Sequence, residues 1–206
     1  LYIPSSGKLI IIANHPFGIV DGLILCSLVS KKRNDFKIMT HETLKFLPQL
    51  EKYILPVDFS ASDKQSLRNN LSTATKARKH LENEGVLIIF PSGSVSVAKN
   101  LKEEAKDDEW KTFPAKLIHQ VKSNILPIFF DGKNGLLFHL FASKMKNSTL
   151  KYSSYIHETR KKIGQEITIY VGNQINYTEI SHIKDRKQLT DLLKRCTYNL
   201  KKNIVY

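Results

Sequence analysis

An α/β fold, with a mostly parallel central sheet flanked by helices, is what this chain predicts, and three observations carry that reading. Short apolar runs rich in β-branched residues recur at 9–13, 36–39, 53–57, 86–90, 125–130 and 166–171. Stretches with apolar residues at helical spacing alternate with them, the order that builds parallel strands joined by crossover helices. The runs 9–13 and 86–90 are apolar at every position, as strands covered on both faces are.

Each element has its own signal. Leu9-Ile10-Ile11-Ile12-Ala13 ends in Asn14-His15-Pro16-Phe17-Gly18-Ile19-Val20-Asp21-Gly22, a turn by its Pro and Gly content. Residues 23–29 then continue as a buried helix, so His15 leaves the C-terminal end of a strand and Asp21 falls near the first turn of a helix. After the strand at 53–57, Ser62-Asp63-Lys64-Gln65 has capping-box spacing. Leu67, Leu71, Ala74, Ala77 or Arg78, and Leu81 share one face of the helix that follows, which Gly85 stops. The run 86–90 ends in a second turn, Pro91-Ser92-Gly93-Ser94-Val95-Ser96. Residues 99–109 are charge-dense and read as a surface loop or a short solvated helix, with a lid as a further option. Trp110 and Phe113 read as core anchors ahead of a helix through Val121. The apolar stretch 136–141, followed by Lys144, Lys146 and Lys151, reads either as a buried helix or as a membrane-contact or acyl-tunnel element. Leu189, Leu192, Leu193, Cys196 and Leu200 mark a final packing helix with a cationic far side. No repeat, low-complexity tract or linker divides the chain, so residues 1–206 are read as one domain.

Charge is the informative part of the composition. Lys and Arg number 32 against 19 Asp and Glu, a formal net charge of +13 that attracts anionic surfaces. Nucleic acid, anionic lipid and an acidic carrier protein all qualify as partners on charge alone, but no nucleic-acid-binding signature is visible, so no nucleic-acid partner is expected. Cys26 and Cys196 sit in apolar patterns and read as reduced core residues, and the scattered histidines give no metal-ligand spacing. No run reaches the roughly 20 apolar residues of a spanning helix. The chain begins at Leu1, which leaves an upstream membrane-docking segment open.

The two turns hold the chemistry. A neutral imidazole takes a proton from a hydroxyl or amine near neutral pH, and a carboxylate on its other nitrogen fixes the tautomer and stabilises the imidazolium that forms. His15 and Asp21 fit these roles, and no protein nucleophile accompanies them, which leaves the nucleophile to the substrate. An ordinary turn histidine capped by Asp21 is the competing reading of the same two residues. The second turn presents backbone N–H groups and hydroxyls of the kind that meet a phosphate or a developing oxyanion, and a plain Pro-Ser-Gly turn is its competing reading.

In this order and roughly 75 residues apart, the two turns resemble the glycerolipid or lysophospholipid acyltransferase-like family, the PlsC-like proteins. That family pairs Asn-His with a nearby Asp, then later reads Phe-Pro-Glu-Gly-Thr-Arg-Ser. Here the blocks are Asn14-His15 with Asp21, and Phe90-Pro91-Ser92-Gly93-Ser94-Val95-Ser96. Residues 53–58 with Arg68, and residues 125–132, resemble its middle and fourth blocks. Five residues instead of four separate His15 from Asp21, Ser92 stands at the Glu position and Val95 at the Arg position. With Asn134 and residues 166–173, these departures resemble the bacterial hemolysin-like, ornithine-lipid-synthesis branch.

The resemblance implies a glycerol-3-phosphate acyltransferase-like fold. It implies transfer of an acyl group from acyl carrier protein or acyl-CoA to the hydroxyl or amine of a lipid-like acceptor: a lyso-aminolipid, an amino acid or a lysophospholipid. His15 is then the general base and Asp21 its orienting acid. Asn14, Gly18, Arg68, Pro91, Ser92, Gly93, Ser94, Ser96 and Lys133 form the expected substrate-binding set. The acyl donor is a substrate, and neither cofactor nor metal is expected. Replacing a bidentate cation by Val95 removes a phosphate contact and disfavours phosphate-bearing acceptors, unless Arg68, Lys116 or Lys133 compensates. The expected place of work is the inner face of the cell membrane, as a peripheral protein on its cytoplasmic side. Two alternatives stand beside this reading. One is a non-catalytic membrane- or carrier-binding module with a decayed site. The other is a serine esterase using Ser92, although Phe90 and Ser94 occupy both Gly positions of the nucleophile elbow.

Overall fold

Strands form where the apolar runs fall. The computed structural model describes residues 3–41, 48–58, 64–98, 103–135, 138 and 156–202. Strands β1 (Leu9–Ala13), β2 (Phe36–His41), β3 (Ile54–Val57), β4 (Val86–Ile89), β5 (Asn124–Phe130) and β6 (Ile169–Val171) make a six-stranded sheet in the order β3-β2-β4-β1-β5-β6. Neighbours are parallel except β5 and β6. β1 lies between β4 and β5, with Leu9 opposite both Val86 and Asn124, and all five of its residues are fully buried.

Helices cover both faces, as strands without a solvated side require. On one face, Leu25 and Val29 of α1 (Ile19–Ser30) pack with Leu9, Ile11, Ile88 and Phe130. On the other, α2 (Lys64–Glu82), α3 (Phe113–Val121) and α4 (Arg186–Asn199) place Ala77, Leu81, Leu117, Ile118, Leu189 and Leu193 against Ile10, Ile12 and Leu87. His15 follows the C-terminal end of β1, the end at which open α/β sheets hold their sites.

Three expectations need correction. Leu67 and Leu71 do not pack: they are 52% and 67% exposed, and the buried line of α2 is Thr73, Ala77 and Leu81. That register is set by polar ties to the end of β3, where the Thr73 hydroxyl donates to Pro56 O at 2.7 Å and the Asn70 side chain bonds both Asp58 N and Asp58 O. The last strand starts at Ile169, not at 166, and runs antiparallel. Asp131 N donates to Thr168 O at 3.0 Å, so the chain re-enters the sheet at the edge where β5 left it and must run back. Within residues 99–109, Ala105 and Asp107 are buried and Val97 pairs with Lys106, so this part is no solvated loop, and 99–102 lie outside the described residues. The apolar stretch 136–141 also lies outside them apart from Phe138, which is buried, as do the lysines after it and the capping residues Ser62 and Asp63. Both cysteines are free thiols and half-buried, and burial pushes Cys26 up to about 11. No described helix is long and apolar enough to cross a membrane.

Candidate active site

The end of β1 is shaped by two side chains. Asn14 follows the strand, is 1% exposed, and extends the β1–β5 ladder with its amide: Nδ2 donates to Phe130 O at 2.9 Å and Oδ1 accepts from Phe130 N at 2.7 Å. The chain then turns through Gly18, whose φ of +71° suits a residue without Cβ, and enters α1. Asp21 sits in the first turn of α1, fully buried, and its Oδ2 accepts from Phe17 N at 2.9 Å and Gly18 N at 3.0 Å. It caps its own helix while the same oxygen meets His15 Nδ1 at 3.0 Å.

That last bond decides the tautomer. A carboxylate accepts, so Nδ1 carries the hydrogen, and in the neutral ring the lone pair is then on Nε2. The His15 side chain is 18% exposed, and the ring stacks on Phe90 with centroids 4.0 Å apart and planes 22° apart. Burial pushes the Asp21 carboxyl above the ordinary range, opposed by its bonds from His15, Phe17 and Gly18. Its second oxygen, Oδ1, is buried and has no hydrogen-bond partner among the described residues.

The second turn is fastened to the same histidine at both ends. Phe90 stacks on the ring, and Ser96 N donates to His15 O at 2.8 Å. Gly93, at φ +69°, makes the bend, and its N–H closes the turn onto Phe90 O at 3.1 Å. Asp107 lies beneath: Oδ1 accepts from His15 N at 3.1 Å and from the Ser96 hydroxyl, and Oδ2 accepts from Trp110 Nε1 at 2.7 Å. Burial raises this carboxyl too, against the pull of its three donors.

The expected substrate-binding residues divide. Gly18, Pro91, Ser92, Gly93 and Ser94 lie in the two turns beside His15, with Gly93 and Ser94 partly exposed and Gly18, Pro91 and Ser92 buried. Asn14 and Ser96 do not fit a substrate contact: both are 1% exposed, with the amide held by Phe130 and the hydroxyl by Asp107. The Ser92 hydroxyl donates to Ser94 O at 2.8 Å, the bond of a turn residue and not of a nucleophile on His15, and the Ser94 hydroxyl donates to Asp108 at 3.1 Å. Arg68 is exposed on the first turns of α2. Lys133 follows β5, its ammonium donating to Glu103 O at 2.8 Å, and Lys116 is exposed on α3. A cavity of about 170 Å³ lies beside Lys133, lined also by Phe129, Asp131 and Lys201. A larger one, about 590 Å³, opens at the opposite edge of the sheet between Asp35, Lys52 and His80, away from the chemistry. Among the described residues no His, Cys, Asp or Glu cluster is arranged to hold a metal ion. Sequence reasoning missed Asp107, whose only signal was its place three residues before the anchor Trp110.

A family model described as Acyltransferase matches residues 2–205. The chain belongs to this acyltransferase family. Two lyso-glycine lipid O-acyltransferases are similar to it along nearly the whole chain. That of Phocaeicola vulgatus is 25% identical over 204 residues, covering 96% of this chain and 70% of the relative. That of Bacteroides thetaiotaomicron is 24% identical over 204 residues, covering 96% and 72%. The crystal structure of the 1-acyl-sn-glycerophosphate (LPA) acyltransferase PlsC from Thermotoga maritima shares the fold at a TM-score of 0.56 and 16% identity, covering 99% of this chain and 70% of that one. The enzyme is therefore an acyltransferase, and the non-catalytic module is set aside.

Proposed function

We propose that this acyltransferase moves a fatty acyl group from a thioester, acyl carrier protein or acyl-CoA, to the hydroxyl of a lyso-aminolipid at an anionic membrane surface. One observation carries the reading: His15 Nδ1 is held at 3.0 Å by a buried carboxylate, leaving Nε2 as the nitrogen free for chemistry on a ring that is 18% exposed. Nε2 takes the proton of the acceptor hydroxyl as its oxygen attacks the thioester carbonyl. The tetrahedral intermediate then breaks its C–S bond, and the imidazolium returns the proton to the leaving thiolate. No described group accepts from the backbone N–H groups of Ser94 and Val95, next to Gly93, and these are the donors we assign to the developing oxyanion.

The acceptor class rests on two supports. Val95 is an uncharged, 9%-exposed residue where phosphate-reading members carry Arg, and the two similar enzymes are named for a lyso-glycine lipid. An ornithine-type acceptor belongs to the same lyso-aminolipid class. The membrane surface is supported by the net charge of +13 and by Leu67 and Leu71, exposed beside Lys64 and Arg68 on the end of α2 nearest the site.

Incubating the purified protein with lyso-glycine lipid, or with lysophosphatidate, and each acyl thioester, followed by mass spectrometry, tests the proposal. We expect a diacylated glycine lipid and little phosphatidate. His15→Ala is expected to lower turnover by about 10²–10⁴-fold or more while the circular dichroism spectrum is kept. Wild-type transfer by folded His15→Ala protein overturns the base assignment, and preferential formation of phosphatidate overturns the acceptor class.

A further inference from the structure

Asp21 holds the ring of His15, and a different carboxylate holds its backbone. Residue 15 lies past the last paired residue of β1, so its N–H and C=O have no strand neighbour and need other partners. Both find them in one closed ring of bonds. His15 N donates to Asp107 Oδ1 at 3.1 Å, the Ser96 hydroxyl donates to the same oxygen, and Ser96 N donates back to His15 O at 2.8 Å. Asp107 is itself held from three directions. Trp110 Nε1 donates to Oδ2 at 2.7 Å, the Tyr198 hydroxyl of α4 accepts from its N–H at 2.9 Å, and the Lys194 ammonium donates to its carbonyl at 3.0 Å.

A backbone carbonyl would satisfy a buried N–H at far less desolvation cost than a 6%-exposed carboxylate. A carboxylate offers what a carbonyl does not, two oxygens that join three donors from three segments of chain. We propose that Asp107 is a positioning residue for acyl transfer: it fixes the His15 peptide and the oxyanion turn through Ser96 as one rigid unit, so that base and oxyanion donors keep a set separation. This rests on His15 being the base.

The test compares Asp107→Asn, Trp110→Phe and the double variant by steady-state kinetics and thermal melting. In Asp107→Asn the amide oxygen still serves one side, but its NH2 group faces either the indole N–H or the His15 N–H, donor against donor. We expect kcat to fall about 10²-fold, with KM within about threefold of wild type. Trp110→Phe removes the opposing donor, so the double variant recovers kcat to within about fivefold of Trp110→Phe alone. A purely structural role predicts that lost activity follows lost folded protein and that the double variant, missing the indole as well, is worse. That pattern, or wild-type kcat in Asp107→Asn, overturns the proposal. Should Asp107→Asn not fold, Ser96→Ala opens the same ring from the other side. A several-fold fall in kcat at constant KM then supports the proposal, and an unchanged kcat overturns it. His15→Ala measured alongside separates the two failures: activity there removes the base itself, whereas an inactive His15→Ala with an indifferent Asp107 removes only the positioning role.

Discussion

In the proposed mechanism His15 and Asp21 divide one task between ring and acid, and the burial of the acid has an energetic consequence. Asp21 is fully buried, and its Oδ1 has no hydrogen-bond partner among the described residues. A charge held there costs stability, which its bonds from His15, Phe17 and Gly18 offset in part, and in the proposed mechanism the imidazolium that forms offsets more. Burial raises the folded-state pKa of this carboxyl above that of the unfolded chain. Between those two values the native state binds more protons than the unfolded state, so stability falls as pH rises through that window. Asp21→Asn keeps an oxygen for the three donors and removes the charge. We expect its unfolding free energy to lack that decline and to equal or exceed the wild-type value at pH 7, while kcat drops about 10²-fold. Urea titrations across the acid range with parallel assays check both halves. A variant that is less stable at pH 7 and fully active contradicts the account.

Among elements, the loop after β5 shows how closely the site is packed from the side. Gly132 has a φ of +125°, and a Cβ there would sit 2.6 Å from Phe17 Cζ, whose backbone N–H is one of the donors to Asp21. Phe17 is covered on another side by the Lys162 ammonium, 4.6 Å from the ring centroid. Gly7 also has a positive φ, +89°, but nothing lies within 4 Å of the Cβ it lacks. Gly7→Ala therefore meets backbone strain alone, about 1 kcal/mol. Gly132→Ala meets the same strain plus the ring, about 2–4 kcal/mol in sum, and displaces Phe17. We expect chemical denaturation to rank Gly132→Ala well below Gly7→Ala, and activity to fall only in the former.

On the scale of the whole molecule, the parallel strands bring His15, the turn after β4 and the loop after β5 to one edge of the sheet. The N-terminal end of α2 reaches the same edge, with Leu67 and Leu71 exposed. If this edge takes a lipid acceptor, as proposed, a chain of net charge +13 should adhere to anionic bilayers there by both Coulomb attraction and apolar insertion. Binding to phosphatidylglycerol-containing vesicles is expected to weaken as salt rises. The double substitution Leu67→Glu/Leu71→Glu should weaken it at least about tenfold further, because burial of each leucine contributes about 1.5–3 kcal/mol. Cosedimentation at low and high salt measures both, and equal binding by the double variant excludes α2 from the contact.

The sequence alone determined the strand-and-helix alternation, because strands buried on both faces must be apolar throughout and so stand out in a single chain. It also determined the contact between His15 and Asp21, since an imidazole and a carboxylate joined across one short turn are local by nature. Only the tertiary structure decided what came from far along the chain. The face of α2 that packs was set by Pro56 in the preceding strand and Asp58 just after it, and not by its own apolar pattern. Asn14 and Ser96, which read locally as substrate contacts, were taken by Phe130 and Asp107. Asp107 lay hidden in a run of charges, because a buried acid differs from a solvated one only in its neighbours, and these lie 92 residues back at His15 and 91 residues on at Tyr198.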